Sequence, residues 1–322
     1  MELIVCTYNN AQILDRALTA ISLQKVSPGY YWNVLVVDNN CTDETAAIVE
    51  KHIQSQKILG LRRIVEKRQG LTHARICGIK NTTSEWVAFI DDDCLLAENW
   101  VENAIKFASS HPSCGAFGGK VVLDWELNPS PILVKYSVIF AASNLGETPK
   151  QLTRSNPHIP GAGLVLHRTA LEKSGWLDKQ FLNDREGKKL SSGGDSEIVL
   201  QILNAGYELW FTPDCVLRHF IPAKRISEKY LIDMNYAFGI AAPYIAGLRW
   251  NSSYWVWLAI SILRILKYLW ETVVCAIAAF NNSDKKIETL IKWKWTKGQI
   301  DTLLAILMMR GEERVKWLSV FK

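Results

Sequence analysis

The sequence predicts an α/β fold, a mainly parallel sheet flanked by helices, followed by a helical region of different character. Three observations predict it. Apolar runs of strand length alternate with stretches of 3.6-residue apolar period along the first part of the chain. The most apolar run, Trp86-Val87-Ala88-Phe89-Ile90, can be buried on both faces and leads straight into Asp91-Asp92-Asp93. After residue 221 the charge balance changes: residues 1–221 carry 22 Lys+Arg against 24 Asp+Glu, residues 222–322 carry 15 against 8. We therefore expect one unit over 1–221, divided near residue 95, and a basic, aromatic-rich helical unit over 222–322.

The elements follow in order. Leu3-Ile4-Val5-Cys6 is a strand, and after Thr7-Tyr8-Asn9-Asn10 comes a helix with apolar positions Ile13, Leu14, Ala17, Leu18 and Ile21. Val34-Leu35-Val36-Val37 is a second strand, ending in Asp38-Asn39-Asn40-Cys41-Thr42-Asp43 before a helix from Glu44 to Ile53. Ile64-Val65 is a short strand that leads through Gln69-Gly70 into a helix over Leu71 to Ile79. Glu98 to Ala108 is amphipathic, Gly115 to Leu123 is strand-like, and Asp124 to Pro160 has no clear period. Pro160-Gly161-Ala162-Gly163 enters another apolar run; its glycines allow close backbone approach, or mark a simple turn. A helix with Ile198, Val199, Ile202 and Leu203 stops at Gly206, with Asp195 where an N-cap would sit. Tyr207 to Phe211 is a strand, and Pro213 to His219 follows it.

Ligands of such sheets bind at the carboxyl ends of the strands. Here those ends read Thr7-Tyr8-Asn9, Asp38-Asn39-Asn40, Glu66-Lys67-Arg68 and Asp91-Asp92-Asp93. One polar end is an ordinary turn, whereas four converging on one edge suggest a nucleotide pocket. Three carboxylates at a buried strand end repel one another unless a cation neutralises them, and oxygen ligands favour Mg²⁺ or Mn²⁺ with positions open to substrate phosphates. Taken alone, the triplet reads equally well as a solvated turn. The seven cysteines form no CxxC pair and are odd in number, which predicts a reduced cytosolic protein without structural zinc. Met1 to Cys6 enters a strand with no basic leader or cleavage site, so no secretory signal is expected.

The ordered set Ile4-Val5-Cys6-Thr7-Tyr8-Asn9, Val36-Val37-Asp38-Asn39-Asn40-Cys41-Thr42-Asp43, Gly70-Leu71-Thr72-His73-Ala74-Arg75 and Phe89-Ile90-Asp91-Asp92-Asp93 resembles the nucleotide-binding half of family 2 glycosyltransferases with the GT-A fold. The resemblance covers about the first 220 residues. It implies that Asp38 pairs with the base of a nucleotide-diphosphate sugar, UDP being the expected nucleotide, with Thr7, Tyr8, Asn9, Asn40 and Glu66 around it and Asp91, Asp92 and Arg75 near the rest of the donor. Asp93 and His219 are the implied ligands of Mn²⁺ or Mg²⁺. Asp195 is the implied catalytic base; an N-cap is its simpler role. Gly161, Ala162, Gly163, Trp176 and Glu197 fall on the acceptor side, as does the loop from Asp124 to Pro160. Two departures are plain: Cys41 stands where the family commonly has Ser, and Gly194-Asp195 where it commonly has Glu-Asp.

Tyr254 to Phe280 has only Ser261, Arg264, Lys267, Glu271 and Thr272 as non-apolar residues, and these fall within roughly 140° of arc. A spanning helix would put three charges in hydrocarbon at about 2.5–3.5 kcal/mol each, whereas an interfacial one leaves them facing water. With Trp293-Lys294-Trp295 and the short apolar stretch from Leu303 to Met309, this predicts peripheral or monotopic attachment to the cytoplasmic face of a membrane; burial of the same face against protein is the alternative. Nucleic acid is not an expected partner. The expected function is an inverting, metal-dependent transfer to a glycan or polyprenyl-linked acceptor in bacterial exopolysaccharide assembly. The rivals are a polyprenyl-phosphate glycosyltransferase, a non-catalytic nucleotide-sugar-binding module, and a membrane-bound scaffold.

Overall fold

The computed structural model describes residues 1–182, 184, 191–251, 253–279 and 283–321. Three β/α units and a fourth strand open the chain: β1 (Glu2–Thr7), α1 (Ala11–Ser22), β2 (Asn33–Asp38), α2 (Thr45–Ser55), β3 (Leu61–Val65), α3 (Leu71–Lys80) and β4 (Trp86–Asp91), after which the turn at Asp92 and Asp93 leads into β5 (Cys94–Leu96) and α4 (Trp100–Ser110). The second half holds β6 (Cys114–Trp125), α5 (Pro131–Lys135), a 3₁₀ turn (Ser137–Phe140), β7 (Lys150–Leu152), β8 (Leu164–His167), α6 (Arg168–Ser174), α7 (Gly194–Asn204) and β9 (Glu208–Ile221). A second 3₁₀ turn (Ala223–Arg225) precedes α8 (Glu228–Arg249), α9 (Tyr254–Ala278), α10 (Ser283–Met308) and α11 (Gly311–Leu318).

Among the described residues the strands form one sheet in the order β3-β2-β1-β4-β8-β6-β9-β5, with β7 beside β9. The first half is parallel as expected, with Thr7 opposite Asp38 and Cys6 opposite Asp91. The second half is mixed: β6 runs parallel to β9, but β8 is antiparallel to β4 and β6, and β5 and β7 are antiparallel to β9. Alternate residues of the strands enter two apolar layers. Leu3, Val5, Val34, Val36, Ala88 and Ile90 pack with α1 and α4 on one face. Ile4, Leu35, Val37, Val87 and Phe89 pack with α3, α6 and α7 on the other. That double cover is why the runs read as continuously apolar.

Three expectations are corrected. The short strand at Ile64-Val65 begins earlier, at Leu61. Tyr207–Phe211 and the segment to His219 form one strand, because Pro213 sits in an irregularity where Phe211 faces Gly118 and Val216 faces Lys120. The stretch from Asp124 to Pro160, expected to be a loop, holds α5, a 3₁₀ turn and β7. Apart from Asp184, the charged stretch from Asn183 to Lys189 lies outside the described residues.

The C-terminal helices pack on the sheet unit through Leu200 of α7, which joins Ala246, Trp257, Ile306 and Trp317 in a further core. α8 and α10 touch backbone to backbone: a Cβ on Gly239 would lie 2.3 Å from the carbonyl oxygen of Trp295, and one on Gly298 2.5 Å from that of Tyr236. α9 packs on the protein through part of its polar arc. Ser261 and Thr272 of its polar arc are buried and Glu271 is paired with Lys292 of α10 (3.0 Å). Trp255, Val256, Ile262, Leu263, Leu266, Trp270, Val273 and Ile277 are exposed. Part of the polar arc therefore faces protein, where Lys292 of α10 meets Glu271, while Lys267 stays in water. No helix among the described residues is long and apolar enough to cross a membrane.

Candidate active site

The carboxyl ends of β1 and β4, the 3₁₀ turn at Ser137–Phe140, the turn at Pro160–Ala162, the start of α7 and the first half of α8 enclose a cavity of about 810 Å³. The parallel register brings Thr7 and Asp91 to one edge. β8 runs antiparallel beside β4, and the Gly163 N–H donates to the Phe89 carbonyl (3.0 Å), so the glycine turn lies just beyond the β4 strand end. Cys94 of β5 pairs with His219 of β9, which sets the imidazole beside Asp93 across a large sequence separation.

Of the residues expected around a nucleotide, Thr7, Tyr8, Asn9, Arg75, Asp91 and Asp92 line the cavity. Thr7 Oγ1 and Asn10 Nδ2 donate to the two oxygens of Asp92, at 2.7 and 2.8 Å, so Asp92 braces the β1 end. Asn9 takes a positive φ of 49° and its Oδ1 accepts from the Thr42 N–H (2.7 Å). Asp38, Asn40 and Glu66 do not line the cavity. Asp38 is buried, accepting from Arg63 (2.7 Å) and the Cys41 N–H (2.8 Å). Asn40 is exposed, in the left-handed region. Glu66 accepts from the side chain and N–H of Arg68, and that guanidinium holds its carboxyl down at about 2. The polar group that β2 sends to the cavity is instead Asn39, its amide fixed by the carbonyls of Glu66 and Arg68 and the N–H of Gly70.

Asp93 is 4% exposed and sits between two cationic partners. Arg225 Nη1 donates to Oδ2 at 3.0 Å, and His219 Nε2 lies 3.2 Å from Oδ1. His219 Nδ1 is 2.8 Å from the Phe140 carbonyl, which requires the proton there and turns Nε2 toward the carboxylate. Burial disfavours the imidazolium, but the Asp93 carboxylate outweighs it and raises the pKa. A neutral imidazole in this pose aims a lone pair at a carboxylate, an arrangement that needs a proton or a cation between them. Asp91, Asp93 and Cys94 bring one ligand atom each within 4.8 Å of one another. Burial pushes the Cys94 thiol well above its usual range, and a hard ion prefers the carboxylates and Nε2 to sulfur. That donor set fits a hard divalent ion.

Asp195 lies in the first turn of α7, with Gly193 at the cap position in a left-handed conformation (φ 108°). It does not cap the helix as expected, because its Oδ2 accepts from the Gly161 N–H (2.9 Å) and its Oδ1 from the Ser196 N–H (2.7 Å). The carboxylate is thereby held at the cavity wall, and the Asp93 and Asp195 carboxylates open into the same space. Of the expected acceptor-side residues, Gly161 and Ala162 line the cavity; Gly163, Trp176 and Glu197 do not. Gly163 turns the chain (φ 77°) against Leu217 and Trp100. Trp176 is a core residue, 1% exposed. Glu197 lies beneath, accepting from the N–H groups of Phe181 and Leu182 (2.7 Å each) and from Gln201.

Sequence reasoning missed Asp184, Arg225 and the α8 residues Tyr230, Met234 and Phe238, which also line the cavity, and it named Asn39 only as part of a polar strand end. The basic pair Lys224-Arg225 just after His219 was the available signal for Arg225.

The fold and this cavity define a GT-A glycosyltransferase. The model of the glycosyl transferase family 2 matches residues 2–175, more than half of the chain, and the protein belongs to that family. Over 228 residues it is 26% identical to the glycosyltransferase AglE of Haloferax volcanii, a match covering 71% of this chain and 68% of the relative. Over 265 residues it is 22% identical to the succinoglycan biosynthesis protein ExoM of Rhizobium meliloti, covering 77% of each. The match to the poly(ribitol-phosphate) β-N-acetylglucosaminyltransferase TarS of Staphylococcus aureus is shorter, 29% over 112 residues and 19% of that protein's length. Among solved structures, the mannosyltransferase PcManGT of Pyrobaculum calidifontis in complex with GDP-Man and Mn²⁺ superposes with a TM-score of 0.59 at 19% identity, covering 94% of this chain and 87% of the other. TarS 1-349 in complex with UDP-GlcNAc gives 0.56 at 17%, covering 99% and 78%.

Proposed function

We propose that the protein transfers a sugar, with inversion, from a nucleoside-diphosphate sugar to a hydroxyl of a lipid-linked glycan. The observation that carries this reading is one cavity holding an acidic strand end with its imidazole at one side and a backbone-fixed carboxylate at the other. Thr7, Asn9, Asn39 and Gln69 offer the polar contacts for the nucleoside, and Arg75, Lys224 and Arg225 the charge for its phosphates. Asp93 and His219, with Asp91, would hold Mn²⁺ or Mg²⁺, which when bound supplies positive charge to the departing diphosphate. Asp195 takes the proton of the acceptor hydroxyl as that oxygen attacks the anomeric carbon, and the nucleoside diphosphate leaves from the opposite face. A single displacement of this kind inverts the centre. GDP-Man and UDP-GlcNAc in the superposable structures make both nucleotides worth testing.

Membrane attachment is part of the reading. α9 presents tryptophans and branched aliphatics outward from a basic region, the composition of a helix that lies in a bilayer interface. α8, whose first half walls the cavity, leads directly to α9.

Thermal unfolding with UDP, GDP and their sugars, each with and without Mn²⁺, tests the donor site. A ligand that binds only the folded state adds about 2.7 kcal/mol at a hundredfold excess over Kd. We expect a Mn²⁺-dependent rise for one nucleotide that is lost in Asp93→Asn. No rise with any nucleotide would favour the scaffold reading.

A further inference from the structure

α7 begins with two glycines, and the second has no room for a side chain. A Cβ on Gly194 would lie 2.3–2.5 Å from Oδ1, Oδ2 and Cγ of Asp184. Asp184 reaches this place from the chain that follows Leu182, with its own N–H donating to Thr72 Oγ1 of α3 (3.1 Å). Its Oδ1 accepts from the Gly194 N–H (3.0 Å), so it does the capping at the start of α7. Its Oδ2 accepts from Arg75 Nη1 (3.0 Å). Asp184 and Arg75 are 8% and 3% exposed.

Arg75 is the hub of this cluster. Its guanidinium also lies 3.7 Å from Asp91 and stacks 4.9 Å from the centre of the Phe89 ring. Nη2 is so close to Gly161 that a Cβ there would sit 2.6 Å away. Gly161 in turn donates to Asp195 Oδ2. The contacts therefore run from Asp184 through Arg75 to Gly161 and Asp195.

We propose that Asp184, ahead of α7 in the chain, supplies the carboxylate that α7 lacks at position 194, and that Gly194 is glycine so that this carboxylate can enter. Asp184 is then a positioning residue: it fixes Arg75, and through Arg75 and Gly161 the base Asp195. The role assigned to Asp195 rests on the function proposed above. The steric exchange between 184 and 194 does not.

A four-protein cycle tests it: wild type, Asp184→Ala, Gly194→Asp and the double variant, each followed by melting temperature and by nucleoside-diphosphate release from the UDP- or GDP-sugar that stabilises the wild type. Gly194→Asp alone crowds Asp184 and lowers the melting temperature by several degrees. Asp184→Ala lowers kcat 10- to 100-fold and, because it also frees Arg75 on the donor side, raises donor KM. The double variant recovers melting temperature above both single variants and at least half of the lost logarithm of kcat. Asp184→Asn, which keeps the shape and the Gly194 contact but not the charge, folds and loses kcat. A double variant no better than the worse single one overturns the exchange. Unchanged kcat in Asp184→Asn overturns the positioning role. A wild type that turns over no nucleotide sugar defeats the function reading instead, and the melting cycle still decides the exchange.

Discussion

Asp195 carries the sharpest prediction at the scale of single residues. Both of its oxygens accept from backbone N–H groups, so Asp195→Asn keeps one of the two bonds and the side chain's shape while removing the proton acceptor. Transfer should fall by about 10²–10⁴-fold with nucleotide-induced stabilisation unchanged, a split that initial-rate kinetics beside melting curves would reveal. Equal activity in the variant takes Asp195 out of the mechanism. Glu197 carries a prediction about pH. Burial pushes its carboxyl up to about 8, outweighing the N–H groups of Phe181 and Leu182 that favour its charged form. Between its ordinary value and 8 the folded chain holds a proton that the unfolded chain has released, so stability falls as pH rises through that window, by at most about 1.4 kcal/mol per pH unit. Glu197→Gln forfeits a well-made acceptor and costs about 1–3 kcal/mol near pH 5. The gap to wild type narrows toward pH 8. Unfolding curves of the two proteins that stay parallel from pH 5 to 8 would contradict this.

The element with most at stake is α9. Substituting Trp255, Trp270 and Ile277 together by Glu alters only exposed positions, so melting temperature should hold within a few degrees. Co-sedimentation with vesicles containing anionic lipid should be abolished by the same three changes and weakened in wild type by salt. Vesicle binding that survives the substitutions would place the attachment elsewhere. Elements differ in how legible they were. β1, β2 and β4 were plain because burial on both faces leaves an unbroken apolar run that ends where the sheet ends. α8 fell within the expected helical unit but was not delimited: it packs against α10 along one side and walls the cavity along another, so its apolar residues follow no single stripe, and Gly239, Pro243 and Gly247 break the signal further. β9 read as two pieces because Pro213 sits where its ladder is interrupted.

Taken as a whole molecule, half of the site was written along the chain and half was made by folding. Thr7, Asn9 and Asp91–Asp93 end strands whose order the alternating pattern implies, so their meeting follows from the rule that ligands gather at carboxyl ends. Asp184 and Arg75 stand 109 positions apart and meet only because α3 and the start of α7 share one face of the sheet. Nothing local marks such a pair. Residues on both sides of position 221 build the site, since Lys224, Arg225 and Tyr230 line the same cavity as Thr7.

That shared α8 wall has a consequence for how such proteins diversify. Arg225, just before the wall, is bonded to Asp93 at the end of the first half of the sheet, so exchanging the segment after Ile221 between relatives would disturb the acidic strand end together with the wall. The two halves of the site can thus diverge only in step with one another.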